Sequence, residues 1–273
     1  MTTTIRPTGP ERTGADGGRA RDFEVCVNGR PVGAVEVRAD AERGGRISGL
    51  RIDEGDRRRG RATVAALAAE EVLRGWGCRG VRISVPAGAA AALRLAAALG
   101  YTETNRHLEK RLGRPPELPA GSVPRPITEI EFPAWRETSA AVYVEEAVAR
   151  GASREAEVRD TERYLAAQLP QGAATPTASL RILTHDGVDV GYLWVALTCP
   201  GKPGGWVNDV EVRPAHRGRG HGRTLMLTAE RDCLAAGTGI LGLNVFADNT
   251  PALRLYESLG YAPTAFHLAK PLA

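Results

Sequence analysis

The sequence predicts an α/β protein in which one fold occurs twice, with the N-terminal copy shortened. Shifted by 160 positions, residues 57–110 align with residues 217–270 without a gap, and 20 of the 54 positions are identical. A long internal repeat indicates repeated structure. Strand-like and helix-like segments alternate within each copy, which predicts a mixed central sheet flanked by helices.

Each copy is expected to begin with a β-hairpin. The segments VNGRPVGAVEV (27–37) and HDGVDVGYLWV (185–195) are rich in apolar β-formers and carry an Asn-Gly or Asp-Gly turn, which is typical of hairpins. The elements that follow in the second copy are a strand at 205–212, a helix at 224–237, a strand at 240–246, a helix at 250–260 and a last strand near 265–269. The first copy has matching segments, including a strand at 45–52 and a helix at 64–77.

Two additional helices are predicted at the front of the second copy only. Thr128 and Glu131 form a capping-box pattern, which predicts a helix that runs to about Arg150. Ser153 is a helix-capping residue type, and Pro170 would end the helix that follows it at about Leu169. The second copy is therefore the more complete domain.

Four regions follow from these patterns. Residues 1–20 are rich in Gly, Thr, Arg and Pro and are expected to form a disordered tail. Residues 21–112 form the shortened copy, and residues 123–273 form the complete copy. Between them, the proline-rich stretch 113–122 is expected to act as a linker, because proline removes the backbone donors that helices and central strands need.

Composition excludes several classes of protein. No run of 18 apolar residues occurs, and the first residues lack an apolar leader segment, so we expect a cytoplasmic protein with no membrane span. The four cysteines are scattered and no cluster of ligand residues is evident, so no metal is expected. Residues 1–126 carry a net charge of +7 and residues 127–273 a net charge of −3, which suggests different partners for the two halves.

The stretch VRPAHRGRGHGRTL (212–225) combines glycines with arginines. Glycine allows close approach to a ligand, and free N–H groups at the start of a helix attract phosphate. A Walker loop would need a lysine after the glycines, and a dinucleotide-binding loop would need a different glycine spacing. The remaining alternative is a solvated, arginine-rich surface loop.

A strand, then Arg-x-x-Gly-x-Gly, then a helix resembles the acetyl-CoA pyrophosphate loop of the GCN5-related N-acetyltransferase (GNAT) superfamily. The segment 249–261 is similar to the second signature of that superfamily. The resemblance covers residues 121–273 in full and residues 21–112 in shortened form. It implies direct attack of an amine on the thioester of acetyl-CoA, without a covalent enzyme intermediate.

The resemblance also implies roles for individual residues. Backbone groups of the strand 206–212 would hold the pantetheine arm, Asn249 would help to hold it, and amides of 217–223 would bind the pyrophosphate. Tyr256 matches the general acid, and its phenol would need a pKa adjusted toward that of the thiol. Asp209 and Glu211 share one face of the strand, and Glu211 is the preferred base. The expected cofactor-binding residues are Val210, Val212, Arg217, Gly218, Arg219, Gly220, His221, Gly222, Arg223 and Asn249.

The first copy has Ala89 and Ala96 where the second copy has Asn249 and Tyr256. Since alanine cannot donate a proton, we expect this copy to be non-catalytic, either with weak CoA binding at 57–61 or as a packing partner only. Tandem members with one degenerate half are known in the superfamily.

The acceptor is expected to be a primary amine of a small molecule, such as a metabolite or an antibiotic. The use of Arg and Ala suggests a bacterial source. The alternatives are a protein amine, or an acyl group delivered by an acidic carrier protein or a tRNA docked on the basic N-terminal half. The sequence leaves the oligomeric state open.

Overall fold

The computed structural model describes residues 2–14, 17–40 and 44–272. The chain divides into two compact units. The first unit comprises residues up to 106 together with residues from 264 onward, and the second comprises residues 107–263. Each unit is a mixed sheet with helices, as the sequence predicts.

Among its described residues, the first unit contains two α-helices, and most of its strands lie in the first third of the chain. Its elements are β1 (Thr3–Pro7), β2 (Arg12–Thr13), β3 (Arg19–Val27), β4 (Arg30–Asp40), β5 (Gly44–Ile52), α1 (Arg61–Gly75), β6 (Gly80–Pro86) and α2 (Ala90–Ala98). The strand order is β1-β3-β4-β5-β6, with β2 beside β3. Neighbouring strands are antiparallel except β5 and β6, which are parallel because α1 connects them.

The prediction of a disordered tail over residues 1–20 is wrong for the described part of that segment. β1 pairs with β3 from Thr3↔Val27 to Pro7↔Phe23, and Ile5 packs against the core of the first unit. Arg6 pairs with Glu24 at 2.8 Å. A polar composition argues against a core segment but permits an edge strand, whose charged side chains can pair on the surface.

The second unit contains four helices among its described residues. β7 (Thr102–Arg111) begins in the first unit and enters the second at His107. The elements that follow are β8 (Ser122–Pro126), α3 (Phe132–Ala149), α4 (Arg154–Gln168), β9 (Ala178–His185), β10 (Val188–Ala196), β11 (Gly205–Val212), α5 (His221–Ala235), β12 (Ile240–Phe246) and α6 (Thr250–Ser258). The strand order in this unit is β7-β12-β11-β10-β9-β8.

The last strand of each copy joins the sheet of the other unit. The final strand of the chain, β13 (Ala262–Pro271), pairs antiparallel with β6 of the first unit, from Ala265↔Pro86 to Pro271↔Gly80. The end of β7 lies beside β12 in the second unit. The predicted domains 21–112 and 123–273 therefore need correction, because each was expected to keep its own last strand. The segment 112–121 between the copies has neither helix nor strand.

The two front helices form close to their predicted positions. Thr128 and Glu131 make the reciprocal capping contacts, with the Thr128 N–H donating to Glu131 Oε2 at 2.9 Å and the Glu131 N–H donating to Thr128 Oγ1 at 3.3 Å. The helix itself begins at Phe132. Ser153 lies at the N-cap position of α4 without a side-chain capping hydrogen bond. Both helices belong to an apolar cluster that includes Trp135, Leu165 and Trp194.

Candidate active site

Strands β11 and β12 separate after three paired residues. Their parallel register runs only from Gly205↔Leu241 to Val207↔Leu243. On the other edge of β11, the register with β10 passes from Val195↔Val207 to Trp194↔Asp209, so Asn208 is an extra, unpaired residue. A β-bulge of this kind bends a strand and re-aims its side chains, which accounts for a cleft that opens beside β11 at this point.

The cleft gives a ligand access to backbone groups of β11. The Arg213 N–H donates to the Val190 carbonyl at 2.9 Å, which makes this a hydrogen-bonded pair of the antiparallel ladder. Hydrogen-bonded pairs alternate along such a ladder. The peptide groups of Val210 and Val212 therefore face away from β10, toward the open side, although the Val212 carbonyl already accepts from Arg217 Nε at 3.0 Å.

The glycine-rich turn presents free N–H groups at the start of α5. Gly218 and Gly220 have φ of +76° and +86°, a conformation that glycine adopts without strain, and Gly220 is the N-cap of the helix. Among the described residues, no acceptor pairs with the N–H groups of 218–223. A Cβ at either glycine would meet no atom within 4 Å. This cradle of donors fits a pyrophosphate.

The arginines of the turn differ in their partners. Arg217 is held against the end of β11, with Nη2 3.9 Å from Glu211. Arg223 Nη2 donates to Ser258 Oγ at 2.6 Å, while Arg219 is exposed. Arg217 and Arg223 are therefore anchored to the protein, and Arg219 is the side chain of this group that is most available to solvent and ligands.

His221 points into the protein rather than into solvent. It is 5% exposed, and its ring lies 4.8 Å from that of His185 and 6.4 Å from that of His216. Burial, and then repulsion from His185, His216 and Arg219, lower its pKa. The backbone of His221 thus faces the cradle while its side chain packs beneath it. Gly222 fits closely, since a Cβ there would lie 3.3 Å from Leu255.

The front helices place polar groups on the bulge of β11. Ser139 of α3 donates to Asp209 Oδ2 at 3.0 Å, and the Tyr143 hydroxyl donates to the Asn208 carbonyl at 2.5 Å. Tyr164 of α4 donates to Asn208 Oδ1 at 2.7 Å. Ser139 is not among the site residues predicted from the sequence, although its spacing of four from Tyr143 places both on one helix face.

Asp209 and Glu211 lie on one face of β11, as expected, but in different surroundings. Burial raises the pKa of Asp209 to about 6, and the hydrogen bond from Ser139 opposes that rise. Glu211 accepts from the Tyr192 hydroxyl at 2.7 Å and lies near Arg217. The raised pKa of Asp209 is that of a carboxylate able to accept a proton near neutral pH.

Tyr256 of α6 is buried, with 6% exposure, and belongs to the apolar cluster of the second unit. Burial, and then the nearby Asp209 charge, raise its pKa to about 12. The expected adjustment of this pKa toward that of a thiol is therefore absent, because a dry environment disfavours the phenolate. The phenol stays protonated at neutral pH, which is the state that a proton donor needs.

Asn249 is the N-cap residue of α6. Its Oδ1 accepts from the Ala252 N–H at 3.2 Å, which caps the helix. Capping satisfies one of the donors at a helix start. The amide nitrogen of Asn249 and the second lone pair of its Oδ1 remain for a contact with a cofactor arm.

The first unit lacks the side chains of Asp209, Glu211, Asn249 and Tyr256. At the positions of Asp209 and Glu211 it has Gly49 and Arg51, in addition to the alanines at the positions of Asn249 and Tyr256. Its turn retains the αL N-cap glycine, Gly60, with φ of +72°. The repeat therefore preserves the fold of the turn without the reactive side chains.

The turn of the first unit also carries its own carboxylate. Asp56 is buried and forms an ion pair with Arg61, the first residue of α1. Arg30 Nη2 donates to both oxygens of Asp56 at 3.0 Å, and Arg57 Nε donates to the Ile52 carbonyl at 2.8 Å. Two arginines beside this turn, Arg30 and Arg61, are therefore already paired with a carboxylate. The position of Asp56 holds His216 in the second unit.

No group of three or more metal-ligating side chains occurs within 2–14, 17–40 and 44–272. Among the same residues, no helix is long and apolar enough to cross a membrane. All four cysteines are free thiols.

Comparison with known proteins identifies the family. The model for the acetyltransferase (GNAT) family matches residues 7–101 and 138–261. A mycothiol acetyltransferase of Thermomonospora curvata is 30% identical over 250 residues, which cover 89% of this chain and 80% of the relative. That of Rhodococcus erythropolis is 27% identical over 257 residues, 89% of this chain and 82% of the relative.

A solved structure, a tandem GNAT protein from the clavulanic acid biosynthesis pathway, matches with a TM-score of 0.55 and 21% identity. The match covers 96% of this chain and 85% of that one, which shows a shared fold. The glycine cradle, the open edge of β11 and the two family matches lead to one conclusion. The chain is an acetyltransferase of the GNAT family, and it contains that family's domain twice.

Proposed function

We propose that the second unit transfers the acetyl group of acetyl-CoA to a primary amine of a small molecule by direct attack. One observation carries the proposal. A buried carboxylate with a raised pKa, Asp209, and a protonated buried phenol, Tyr256, lie close enough for the Asp209 charge to raise the pKa of Tyr256. One group is suited to accept a proton and the other to donate one.

The cradle at 218–223 and the peptide groups of Val210 and Val212 are the proposed binding groups for acetyl-CoA. The free N–H donors match the pyrophosphate, and an open strand edge matches the amides of the pantetheine arm. When bound, acetyl-CoA supplies an acetyl thioester. We expect the exposed Arg219 to add charge at the phosphates and to contribute less than the backbone donors do.

In the proposed reaction, Asp209 takes a proton from the acceptor ammonium, directly or through a water molecule. The free amine then forms a C–N bond with the acetyl carbon while the C–S bond breaks. Tyr256 gives its phenolic proton to the leaving sulfur, and the second proton, which the nitrogen loses on becoming an amide, returns to the phenolate directly or through a water molecule. Ser139 holds the Asp209 carboxylate, since it donates the hydrogen bond that lowers the pKa of Asp209.

The charges around Asp209 favour an amine acceptor. The negative charges of Glu211 and Glu146 both raise the pKa of Asp209, so these carboxylates lie near it. A positively charged group that enters the cleft therefore meets three carboxylates. The two mycothiol acetyltransferase relatives span most of the chain, and mycothiol-related amines are therefore the first acceptors to test. Antibiotic amines and peptide amines are the other acceptors to include in the same test.

The test measures thiol release from acetyl-CoA in the presence of each acceptor, together with calorimetry of CoA binding. Gly220→Trp should fill the cradle and abolish CoA binding. The matched control is Gly60→Trp, which makes the same change at the equivalent turn of the first unit and should leave binding intact. If Gly60→Trp lost CoA binding and Gly220→Trp retained it, the cofactor would bind in the first unit, and the proposal would be wrong.

A further inference from the structure

A buried ion pair in the second unit joins α5 to the strand donated by the first copy. Glu230 of α5 is 4% exposed, and Lys110 Nζ at the end of β7 donates to its Oε1 at 2.6 Å. The same ammonium lies 5.6 Å from the centre of the Tyr261 ring. We call these three residues, Glu230, Lys110 and Tyr261, the second-unit triad.

The first unit contains an equivalent glutamate, tyrosine and lysine, and each is 160 positions away from its counterpart in the second-unit triad. Glu70 of α1 is fully buried. It accepts from Lys270 Nζ at 2.8 Å and from the Tyr101 hydroxyl at 2.9 Å. Lys270 comes from β13, the last strand of the second copy. These residues form the first-unit triad, and each triad therefore takes its lysine from the other copy.

The two triads differ in what lies beside them. In the second unit, the Tyr261 ring packs against the Tyr256 ring, with centroids 6.1 Å apart and planes at 61°, a geometry that aromatic pairs prefer. In the first unit, the position of Tyr256 is Ala96. The second-unit triad therefore touches the proposed general acid, whereas the first-unit triad has no such neighbour.

We propose that Lys110, Glu230 and Tyr261 are positioning residues for the Tyr256 phenol. This inference rests on the proposed function, because it gives the triad a role only through the general acid. It also assigns a task to the degenerate copy, whose last strand supplies Lys110. On this proposal the first copy contributes a side chain that positions the general acid of the second unit.

The physical reason is the cost of an unpaired buried charge. Without Lys110, the Glu230 carboxylate has lost its counter-charge in a dry environment, and such a group must take up a proton or rearrange. Because the Lys110 ammonium lies 5.6 Å from the centre of the Tyr261 ring, Tyr261 is the neighbour that responds to its loss. A displaced Tyr261 ring no longer fixes Tyr256, and a proton donor misplaced by about 1 Å costs about 100-fold in rate.

The experiment compares Lys110→Met with Lys270→Met in the full chain. Both variants break a buried Glu–Lys pair, so both should lower the melting temperature. We expect only Lys110→Met to reduce kcat, by at least about tenfold, with KM for acetyl-CoA unchanged. The reversed pair Lys110→Glu with Glu230→Lys should recover part of the lost kcat. Equal kcat values in the two methionine variants would overturn the proposal.

A second readout does not depend on knowing the acceptor. With tyrosine labelled at ¹³Cζ and the signal of Tyr256 assigned from Tyr256→Phe, Lys110→Met should shift the signals of Tyr256 and Tyr261. Lys270→Met should shift that of Tyr101 and leave Tyr256 unchanged. An unshifted Tyr256 signal in Lys110→Met would refute the positioning role, even if the proposed acetyl transfer holds. Absence of acetyl transfer by the unaltered protein would instead refute the proposed function.

Discussion

Replacing Asp209 with asparagine should stabilise the second unit while it removes activity. The carboxylate is buried, and its pKa is raised to about 6. Asparagine retains an oxygen that can accept from Ser139 but carries no charge at any pH. As a proton acceptor is lost, the acetylation rate should fall by about 10²–10⁴-fold.

The gain in stability follows from the pKa. Because the pKa is about 6 in the folded chain and about 3.9 in an unfolded one, the folded chain binds protons more tightly. Ionisation of Asp209 therefore destabilises the fold. The whole destabilisation is present well above about pH 6, and it is absent below about pH 4. The unfolding free energy of Asp209→Asn should exceed that of the unaltered protein by about 3 kcal/mol at pH 8 and by about 1.5 kcal/mol at pH 5.

Urea unfolding followed by tryptophan fluorescence can measure this difference. Of the four tryptophans, Trp76 lies in the first unit, so a Trp76→Phe background restricts the signal to the second unit. The matched control is Glu211→Gln, two residues along the same face, where the side chain is about a third exposed; it should give a smaller gain. Lower stability of Asp209→Asn at pH 8, or an equal change at pH 5 and pH 8, would contradict the reasoning.

Three further predictions concern the same unit. Tyr256→Phe keeps the ring and removes the proton donor, so acetylation should fall by about 10²–10⁴-fold with CoA affinity unchanged by calorimetry; an unaltered rate would leave Tyr256 only a packing role. Ser139→Ala removes a hydrogen bond that lowers the pKa of Asp209, so the acidic limb of the pH–rate profile should move to higher pH, and a move to lower pH would contradict this. Gly220→Ala introduces a side chain at φ of +86°, at a cost of about 1–2 kcal/mol, and should weaken CoA binding in calorimetry. Gly60→Ala should cost similar stability and leave CoA binding unaffected, and equal loss of affinity in both variants would refute this assignment of the site.

The glycine turn could be predicted from the sequence because its determinants are local. Two glycines with positive φ, the arginines beside them and the helix that follows all lie within a dozen residues. The capping pair Thr128 and Glu131 was equally local, and its contacts formed as expected.

The exchange of the last strands could not be predicted in this way. His107, Leu108 and Lys110 recur as His267, Leu268 and Lys270, and each lysine meets a buried glutamate at an equivalent place. Either strand therefore carries the residues that either unit needs. Local sequence cannot decide between two pairings that satisfy the same contacts.

The proposal of Asp209 as the base also depends on tertiary structure. Asp209 and Glu211 are equivalent in the strand pattern, and Glu211 was the preferred base. The difference arises from α3, whose Ser139 covers Asp209, and from the depth of burial at the bulge. The spacing of charged residues in the sequence does not indicate that α3 packs over β11. It also does not indicate that Asn208 is an extra residue in the strand.

The most direct test of the account is a crystal structure of the protein with acetyl-CoA. We expect one molecule in the second unit, with its pyrophosphate on the N–H groups of 218–223. The thioester sulfur should lie within about 3–3.5 Å of the Tyr256 hydroxyl, with the acetyl carbon facing Asp209. Cofactor bound at the Gly60 turn of the first unit, or a thioester directed away from Tyr256, would contradict the account.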